Sequence, residues 1–511
     1  MFKTPRLLTT LAALGVLVLS GCANDDATRS ADVLPEAVSD DLAPFYDQTV
    51  TWQSCENHDD YECGTVEVPM DYDNPEAETI EIHLTRAVET ADQRPMLFNP
   101  GGPGSSGISF VQEQVDMMLS DRLAKNISAI GFDPRGVGAS EPVKCMTGPE
   151  FDESHETIYD SSTPEGWQES IELTQELGEK CLERSGNIVK FADTVSAAKD
   201  MDVIRAALEV PKLDYFGISY GTKLGATYAE LFPEQVGKFV LDSVLAPSAE
   251  TFEVTKAQSA GFEQSLHEWA RWCADNSDCN VGQPQDPDSV LTAVKDFIAQ
   301  VEEEPLQYPN GRSQPASDLF FGIVMPLYSQ DTWELLGMAF EQGIENDFVN
   351  SEYQPLFLVF ADTYHGREAN GEYTNNMDAF NAINCLDYTA SDKTLEEASA
   401  QAEELAEQAP IFGPAMSYST GCNGWPVEPA EPIGSTQAKG SDPIVVTNLT
   451  SDPATPIHFS HQLAEDLDNS IHITVEGEGH GAYSPTNECI VDAIDGYILD
   501  DKLPEDGLVC Q

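Results

Sequence analysis

Basic residues are scarce in this 511-residue sequence: 25 Lys and Arg stand against 89 Asp and Glu, giving a formal net charge of −64. Such a charge repels phosphate groups, which excludes nucleic acid and anionic lipid headgroups as partners. Disorder is also excluded, because 41% of the residues are hydrophobic, too many for a disordered acidic chain. The acidity fits a solvated surface in a salty medium, where charges are screened over about 8 Å or less. A funnel for cationic substrates is the alternative.

Metal-binding patterns are missing as well. The chain contains no Cys-x-x-Cys pair and no His-Glu-x-x-His helix, and His458 with His461 forms an isolated His-x-x-His without further ligands. Zinc sites need three or four such ligands from the protein. We therefore expect neither a metal nor a cofactor.

The apolar run at residues 7–19 is too short to span a bilayer, since a membrane helix needs about 20 such residues. Lys3 and Arg6 precede this run, and it ends in Leu-Ser-Gly-Cys22, which resembles a bacterial lipobox. We expect residues 1–21 to be a lipoprotein signal peptide, Cys22 to carry the lipid and residues 22–40 to form a flexible tether. The protein would then be exported and held at the outside of a bacterial cell membrane, or in the envelope, only through this anchor. Plain secretion is the alternative.

Ten cysteines remain after Cys22. An even number of cysteines in an exported chain indicates disulfides, although sequence alone does not fix their connectivity. Pairing each cysteine with its nearest neighbour closes five short loops, and we predict this set: Cys55 with Cys63, Cys145 with Cys181, Cys273 with Cys279, Cys385 with Cys422, and Cys489 with Cys510.

The segment Gly217-Ile218-Ser219-Tyr220-Gly221 has the Gly-x-Ser-x-Gly pattern of a nucleophile elbow. The apolar residues 213–216 before it predict a buried strand, and residues 222–231 after it predict a helix. A sharp turn between strand and helix strains the serine backbone and leaves no room for side chains at the flanking glycines. We therefore predict Ser219 as a nucleophile; an ordinary strand-to-helix turn is the alternative.

A glycine-rich loop at residues 100–107 follows the strand predicted at residues 95–99. Gly102, Gly104 and Gly107 satisfy the Gly-x-Gly-x-x-Gly dinucleotide pattern. Pro103 removes an amide that a pyrophosphate would need, and no acidic residue ends a second strand about twenty positions later. We predict an oxyanion loop instead, in which the amides of Gly102 and Tyr220 are the donors. A purely structural turn is the alternative.

Strand and helix patterns alternate up to residue 243 and resume at residue 442, which predicts an α/β fold with a mostly parallel central sheet and helices on both faces. Alternating polar and apolar residues at 64–69 and 79–84 predict antiparallel edge strands. Helical patterns dominate between these parts, as at residues 395–408, where Thr394 and Glu397 predict a capping box. We predict a core at residues 41–245 and 441–511 with an inserted helical cap at residues 246–440. An independent second domain is the alternative.

Two loops near the end of the chain carry further catalytic candidates. Asp452 follows the strand predicted at residues 442–448, and His480 lies among glycines after the strand at residues 470–475. Ser219, Asp452 and His480 thus have the chain order of an α/β-hydrolase triad, each just beyond the carboxyl end of a strand. His480 would take the proton of Ser219, and Asp452 would orient the imidazole. In an earlier loop, Asp133 and Arg135 are predicted to form a local ion pair.

Together these residues resemble the tripeptidyl-aminopeptidase-like branch of the prolyl-aminopeptidase family of α/β-hydrolases. The similarity covers residues 52–72, 101–104, 133–140, 217–221, 452–456 and 479–481, and the region around Cys385, Cys422 and Trp425-Pro426. One departure is Pro100, which stands where prolyl aminopeptidases usually have the histidine of His-Gly-Gly-Pro-Gly. The resemblance implies a serine exopeptidase that releases tripeptides or single residues from peptides with a free N-terminus.

An exopeptidase of this kind must offer a carboxylate to the ammonium group of its substrate, because a buried unpaired amine is costly. The predicted cap is rich in acids, and Asp387, beside Cys385, is our candidate; a plain hydrogen-bonding aspartate is the alternative. A carboxylesterase of the same fold is the alternative function. A non-catalytic surface lipoprotein is a more remote one.

Overall fold

The computed structural model describes residues 38–511 except 158–159, 347, 349–353, 389–392, 432 and 434–435. The predicted signal peptide, the predicted lipidation site Cys22 and most of the predicted tether lie outside the described residues. Among the helices within these ranges, none combines the length and the apolar character that a bilayer crossing requires.

A mixed sheet forms the centre of the described chain, in the order β1-β2-β3-β5-β4-β6-β7-β10-β11-β12. The strands are β1 (Gln53–Cys55), β2 (His58–Pro69), β3 (Thr79–Ala87), β4 (Arg94–Asn99), β5 (Ile127–Phe132), β6 (Leu213–Ile218), β7 (Val236–Asp242), β8 (Leu306–Gln307), β9 (Ser313–Gln314), β10 (Ile444–Ser451), β11 (Ser470–Glu478) and β12 (Leu508–Cys510). Strands β1, β2, β3 and β5 pair antiparallel in that order, and the remaining pairs of this sheet are parallel. The pair β8 and β9 forms a separate antiparallel sheet.

Helices cover both faces of the sheet and fill the long segment between β7 and β10. They are α1 (Ala43–Tyr46), α2 (Gly107–Glu113), α3 (Val115–Met118), α4 (Asp121–Ala124), α5 (Gly148–Glu156), α6 (Pro164–Ser185), α7 (Thr194–Ala207), α8 (Tyr220–Leu231), α9 (Thr251–Asp275), α10 (Pro287–Glu303), α11 (Ala316–Val324), α12 (Trp333–Glu345), α13 (Leu356–His365), α14 (Asn376–Asp387), α15 (Leu395–Gln408), α16 (Phe412–Ala415), α17 (His458–Asp466) and α18 (Glu488–Asp500). Short 3₁₀ helices lie at Val88–Thr90, Gly186–Lys190, Pro233–Gln235, Met325–Tyr328 and Gln330–Thr332.

The burial of the strands explains why the parallel part of the sheet could be predicted. All six residues of β5 are buried. This strand pairs parallel with β4 and antiparallel with β3, and a strand that is covered on both faces reads as a nearly continuous apolar run. Successive residues of β4 divide between the two faces: Leu97 packs in one apolar cluster and Met96 and Phe98 in another. The predicted mostly parallel sheet with helices on both faces is therefore confirmed.

Two details of the secondary structure refine the predictions. Helix α15 begins with the predicted capping box, in which Thr394 and Glu397 satisfy each other's backbone amides. Strands β2 and β3 pair antiparallel as predicted, but neither lies at the edge, because β1 pairs outside β2 and β3 pairs with β5. The three-residue β1 is too short to be recognised from an alternating pattern.

The long segment between β7 and β10 divides between two apolar clusters. Trp269, Phe340 and Phe357, from α9, α12 and α13, belong to a cluster of their own. In contrast, Ala379 and Ile383 of α14 pack in the cluster that also contains residues of α7 and α8. Helices α9 to α13 thus have a separate core, whereas α14 packs against the sheet domain. The cap boundaries at residues 246 and 440 stay a prediction.

Five disulfides stabilise the described chain, and each closes a short loop. They join Cys55 with Cys63, Cys145 with Cys181, Cys273 with Cys279, Cys385 with Cys422, and Cys489 with Cys510. The last of them attaches edge strand β12 to the start of α18.

The predicted ion pair between Asp133 and Arg135 is wrong. Arg135 is fully buried and forms its ion pair with Asp200 of α7, at 2.6 Å between Nη2 and Oδ1. Asp133 instead accepts hydrogen bonds from the Ser106 hydroxyl at 2.6 Å and the Ala139 amide at 2.8 Å. The partner of Arg135 lies 65 residues further along the chain, so a local reading of the sequence could not find it.

Candidate active site

Ser219 lies in a sharp turn between β6, which ends at Ile218, and α8, which begins at Tyr220. Its backbone has φ 58° and ψ −126°, a conformation that is strained for a residue with a side chain. A β-carbon at Gly217 would lie 2.4 Å from the carbonyl oxygen of Gly221. The backbone at Gly217 and that at Gly221 are therefore too close for any residue but glycine at position 217. The strand, turn and helix predicted around Ser219 are all present.

Asp452 and His480 form the closest pair of candidate catalytic side chains. Both carboxylate oxygens of Asp452 lie 2.9 Å from Nδ1 of His480. The amides of Ala454 and Thr455 donate to Oδ1 of Asp452, and the Thr455 hydroxyl donates to Oδ2. Because the side chain of Asp452 is fully buried and held by these donors, it fixes the imidazole with a proton on Nδ1. This leaves Nε2 of His480 free to accept a proton.

The protonation of His480 follows from its surroundings. Burial lowers the pKa of the imidazole, but the charge of Asp452 and the hydrogen bond to it, together with the charge of Asp242, outweigh burial. The pKa of His480 is therefore raised above its ordinary value, and the imidazolium form is stabilised.

The order of the strands brings these three residues to one edge of the sheet. Strands β6, β7, β10 and β11 are neighbours and run parallel, so Ser219, Asp452 and His480 all follow carboxyl ends on the same side. Within the described part of the chain, no hydrogen bond joins the Ser219 hydroxyl to the imidazole. Catalytic hydrogen bonds are often long in a free enzyme and tighten when substrate binds.

Asp242, the last residue of β7, supports the loop that carries His480 and was missed by the sequence analysis. Its carboxylate accepts hydrogen bonds from the amides of Ala482 and Tyr483, at 2.9 and 3.0 Å, and from the Thr447 hydroxyl at 2.8 Å. Burial raises the pKa of Asp242 despite these donors. An acidic residue directly after the apolar run Phe239-Val240-Leu241 was the available signal.

The predicted oxyanion loop lies directly against the elbow. A β-carbon at Gly101 would lie 2.9 Å from the β-carbon of Ser219 and 3.1 Å from the amide nitrogen of Tyr220. Gly101 and Gly102 have φ of 99° and 105°, which only glycine adopts without strain. The Gly101 amide donates to the side chain of Asn99. Within the described residues, the amides of Gly102 and Tyr220 have no protein acceptor, as a pair of oxyanion donors requires.

Helices of the predicted cap region cover the loops that carry Asp452 and His480. The His480 amide donates to the carbonyl oxygen of Tyr328 at 2.9 Å, and the two rings meet edge to face at 5.4 Å. In α9, a β-carbon at Gly261 would lie 2.5 Å from the carbonyl oxygen of Pro453. The cap region therefore touches both loops of the candidate site.

Asp387, our sequence candidate for binding a substrate amine, is already paired. Its carboxylate lies 3.1 Å from the ammonium nitrogen of Lys223, and both side chains are more than nine-tenths buried. The amide and hydroxyl of Thr194 also donate to Asp387. Since Lys223 belongs to α8, this geometry favours a structural role, in which Asp387 attaches α14 to the helix that follows Ser219.

Glu478 is an acidic residue at the end of β11 that the sequence analysis did not single out. Burial and the nearby charge of Glu268 raise its pKa to about 7, although Arg271 opposes this. Among the described residues, the Oε2 atom of Glu478 is buried without a hydrogen-bond partner. Arg271 pairs directly with Glu268. The charge of Arg271 and a hydrogen bond with Gln330 therefore only partly offset the raised pKa of Glu478, which lies two residues before His480.

The sequence is similar to two described families. Residues 94–283 match the α/β hydrolase fold family, and residues 409–510 match the family described as TAP-like protein. The first match contains the elbow and the glycine-rich loop. The second contains Asp452 and His480.

Three relatives are similar over most of their length. The serine protease Hip1 of Mycobacterium tuberculosis is 32% identical over 99% of this chain and 98% of its own. Carboxylesterase B of the same organism is 32% identical over 92% of this chain and 91% of its own. The tripeptidyl aminopeptidase of Streptomyces coelicolor is 30% identical over 86% of this chain and 81% of its own.

Proposed function

This chain belongs to the tripeptidyl-aminopeptidase-like serine hydrolases of the α/β-hydrolase superfamily, and from that premise we propose that it releases short peptides or single residues from free N-termini. Two observations carry the proposal: Nδ1 of His480 donates a hydrogen bond that both carboxylate oxygens of Asp452 accept, and Ser219 has a strained backbone. A cap that closes one end of the cleft would restrict cleavage to the ends of peptides.

We assign the catalytic roles as follows. Nε2 of His480 takes the proton of the Ser219 hydroxyl as its oxygen attacks the carbonyl carbon, and Asp452 stabilises the imidazolium that forms. The imidazolium then gives this proton to the leaving amine as the peptide bond breaks, which leaves an acyl-enzyme. Water, deprotonated by His480, resolves the acyl-enzyme and restores the serine.

The tetrahedral intermediates of both steps carry a negative oxygen. We propose that the amides of Gly102 and Tyr220 bind it, each stabilising the transition state by about 2.7–4 kcal/mol. The exposure of Gly102 and the close contact of its neighbour Gly101 with the elbow support this assignment. Glycine is needed at position 102 because its φ of 105° strains any other residue and because a β-carbon there would lie 3.0 Å from the amide nitrogen of Gly104.

For the substrate ammonium we propose Glu478 rather than Asp387. The carboxylate of Asp387 is occupied by Lys223, whereas Glu478 has an unpartnered oxygen and a second carboxylate, Glu268, nearby. A cation placed beside Glu478 would offset both the burial and the charge of Glu268, which together raise the pKa of Glu478. Its position two residues before His480 supports a role close to the scissile bond.

The experiment that tests the proposal compares peptide anilides of one to three residues with a free or an acetylated N-terminus. We expect turnover only with the free amine, and loss of turnover in Ser219→Ala. Ser109→Ala, which removes an exposed hydroxyl on α2, is the matched control and should retain full activity.

A carboxylesterase is the second candidate, favoured by the relative of that name. It would hydrolyse uncharged acyl esters and would not distinguish free from acetylated amines, so the same substrate panel separates the two functions. If neither anilides nor esters are cleaved and Ser219 does not react with a fluorophosphonate, the chain is not a serine hydrolase of either kind.

We also propose that the protein is exported and anchored through a lipid on Cys22. Five disulfides support an oxidising compartment. Cys22→Ser should move the protein from the detergent phase to the aqueous phase in a detergent-partition experiment. Partition that does not change would argue against the anchor.

A further inference from the structure

Three side chains from separate elements meet at a place that no catalytic candidate occupies. His155 lies near the end of α5, Asp318 in the first turns of α11, and His365 at the end of α13. Each offers one ligand atom, and these atoms lie within 4.8 Å of one another. Two imidazoles and a carboxylate are the ligand types that Zn²⁺ takes from a protein.

His365 provides a second, independent observation. Its side chain is 4% exposed, and Nε2 lies 3.0 Å from Oδ1 of Asp318. Within the described residues, however, its Nδ1 is buried without any hydrogen-bond partner. A buried imidazole normally satisfies both nitrogens, so this ring is one contact short.

The surroundings of the cluster resemble the outer shell of a metal site. Asp318 accepts a 2.9 Å hydrogen bond from the Gln314 amide on its other oxygen, which fixes the carboxylate as outer-shell donors do. Two nearby arginines are neutralised by their own partners: Arg312 pairs with Asp362 and Arg367 with Asp152. The charge that remains is the carboxylate of Asp318, and it favours a cation.

His155 is the third member of the cluster and packs against His365. It is half-buried, and its ring stacks on that of His365 with 4.0 Å between centroids and 28° between planes. The stack holds this ring next to His365, with its ligand atom within 4.8 Å of those of Asp318 and His365.

We propose that His155, Asp318 and His365 form a Zn²⁺ site, with water completing the coordination, that fastens α11 and α13 of the cap region to α5 of the sheet domain. From the sequence we expected no metal. The spacing of His458 and His461 is local, whereas this cluster is assembled from residues 155, 318 and 365, which no spacing rule connects.

The test uses the full-length chain with its disulfides intact, dialysed against a chelator and titrated with Zn²⁺ alone. We expect one tightly bound zinc per chain and a rise in melting temperature on binding. His155→Ala should weaken binding by about 100-fold or more. Its circular dichroism should be unchanged, because the residue is half-buried at a helix end.

His461→Ala is the matched control, since it removes an exposed histidine from the competing His-x-x-His pair, and it should leave zinc binding intact. Asp318→Asn is the second variant; it keeps the shape of the side chain and should also weaken binding. The proposal is overturned if the unaltered chain binds no zinc at micromolar concentration, if His155→Ala binds as tightly as the unaltered chain, or if His461→Ala alone removes the site. Zinc binding is measured without substrate, so this result is independent of the proposed peptidase activity.

Discussion

The backbone amide of His480 donates its hydrogen bond to the carbonyl oxygen of Tyr328, at 2.9 Å. Tyr328 ends the 3₁₀ helix that follows α11, so the proposed general base is held by the cap region as well as by the sheet. A movement of this part of the cap would therefore displace the imidazole. We predict that this contact couples the position of the cap region to the alignment of the base.

Gly479→Ala tests this coupling. A β-carbon at Gly479 would lie 3.0 Å from the Tyr328 carbonyl oxygen, and the φ of this residue is 119°. The substitution should therefore cost about 1–3 kcal/mol of strain and disturb the contact with Tyr328. We expect kcat to fall more than KM changes. Gly481→Ala is the control: its φ of 101° is also positive, but no atom lies within 4 Å of the added carbon. Equal losses in both variants would mean that backbone strain alone, and not the cap contact, governs the loop.

Asp452→Asn should leave the fold intact and reduce kcat by about 10⁴-fold, because an amide holds the imidazole in the wrong tautomer. Asp468→Asn, an exposed substitution beyond α17, is the control and should be neutral. Steady-state kinetics on a peptide anilide measures both. Activity within tenfold of the unaltered enzyme would remove Asp452 from the triad.

The raised pKa of His480 determines the pH dependence. A general base must be neutral, so kcat/KM should increase as pH rises through the folded-state pKa, which lies above the ordinary value of about 6.5. The free energy of unfolding changes with pH in the opposite direction. The stabilisation that results from the raised pKa of His480 is fully present below about pH 6.5 and is lost as pH rises through the folded-state pKa. Asp452→Asn removes the main cause and should lower the titration midpoint of His480. A kinetic midpoint at or below about 6.5 in the unaltered enzyme contradicts the assignment.

Asp387→Asn should destabilise the protein by about 3–5 kcal/mol, because it leaves the buried ammonium of Lys223 without its counter-charge. The KM for free-amine peptides should not change, since we assign Asp387 a structural role. The double variant with Lys223→Met should recover much of the lost stability in urea unfolding. A raised KM with unchanged stability would instead return Asp387 to the role of amine ligand.

Glu478→Gln should raise the KM for free-amine peptides. Because burial raises the pKa of Glu478 to about 7, the neutral carboxyl is favoured in the folded state. The unaltered protein should therefore lose stability between about pH 4.5, the ordinary value, and pH 7, and the Gln variant should lose less. Glu476→Gln, exposed two residues earlier, is the control. Identical KM values in Glu478→Gln and the unaltered enzyme would dismiss this carboxylate as the amine ligand.

The predictable part of this molecule was local. Ile127–Phe132 is a run of apolar and small residues and forms a strand with those bounds, and the glycines around Ser219 predicted its turn. Asp452 and His480 could be placed because strand patterns fixed which loops reach the edge of the sheet. Each of these inferences needed only neighbouring residues and one rule about parallel strands.

What escaped the sequence analysis depends on contacts between distant residues. Arg135 forms its ion pair with Asp200 only when α7 packs on the sheet. Asp387 forms its ion pair with Lys223 only when α14 packs on α8. Asp242 supports a loop about 240 residues further along the chain, as its hydrogen bond to Ala482 shows. Burial of a charged side chain forces it to find a partner, but sequence does not say which partner the fold will supply.

Every disulfide of the described chain joins cysteines between 6 and 37 residues apart. A polypeptide threaded through an export channel from its N-terminus can therefore oxidise each pair soon after the second sulfur emerges, without waiting for later segments. The five loops follow one another along the chain without overlapping, so in the export that we propose each pair is complete before the cysteines of the next pair emerge. The order of secretion itself would then guide oxidative folding.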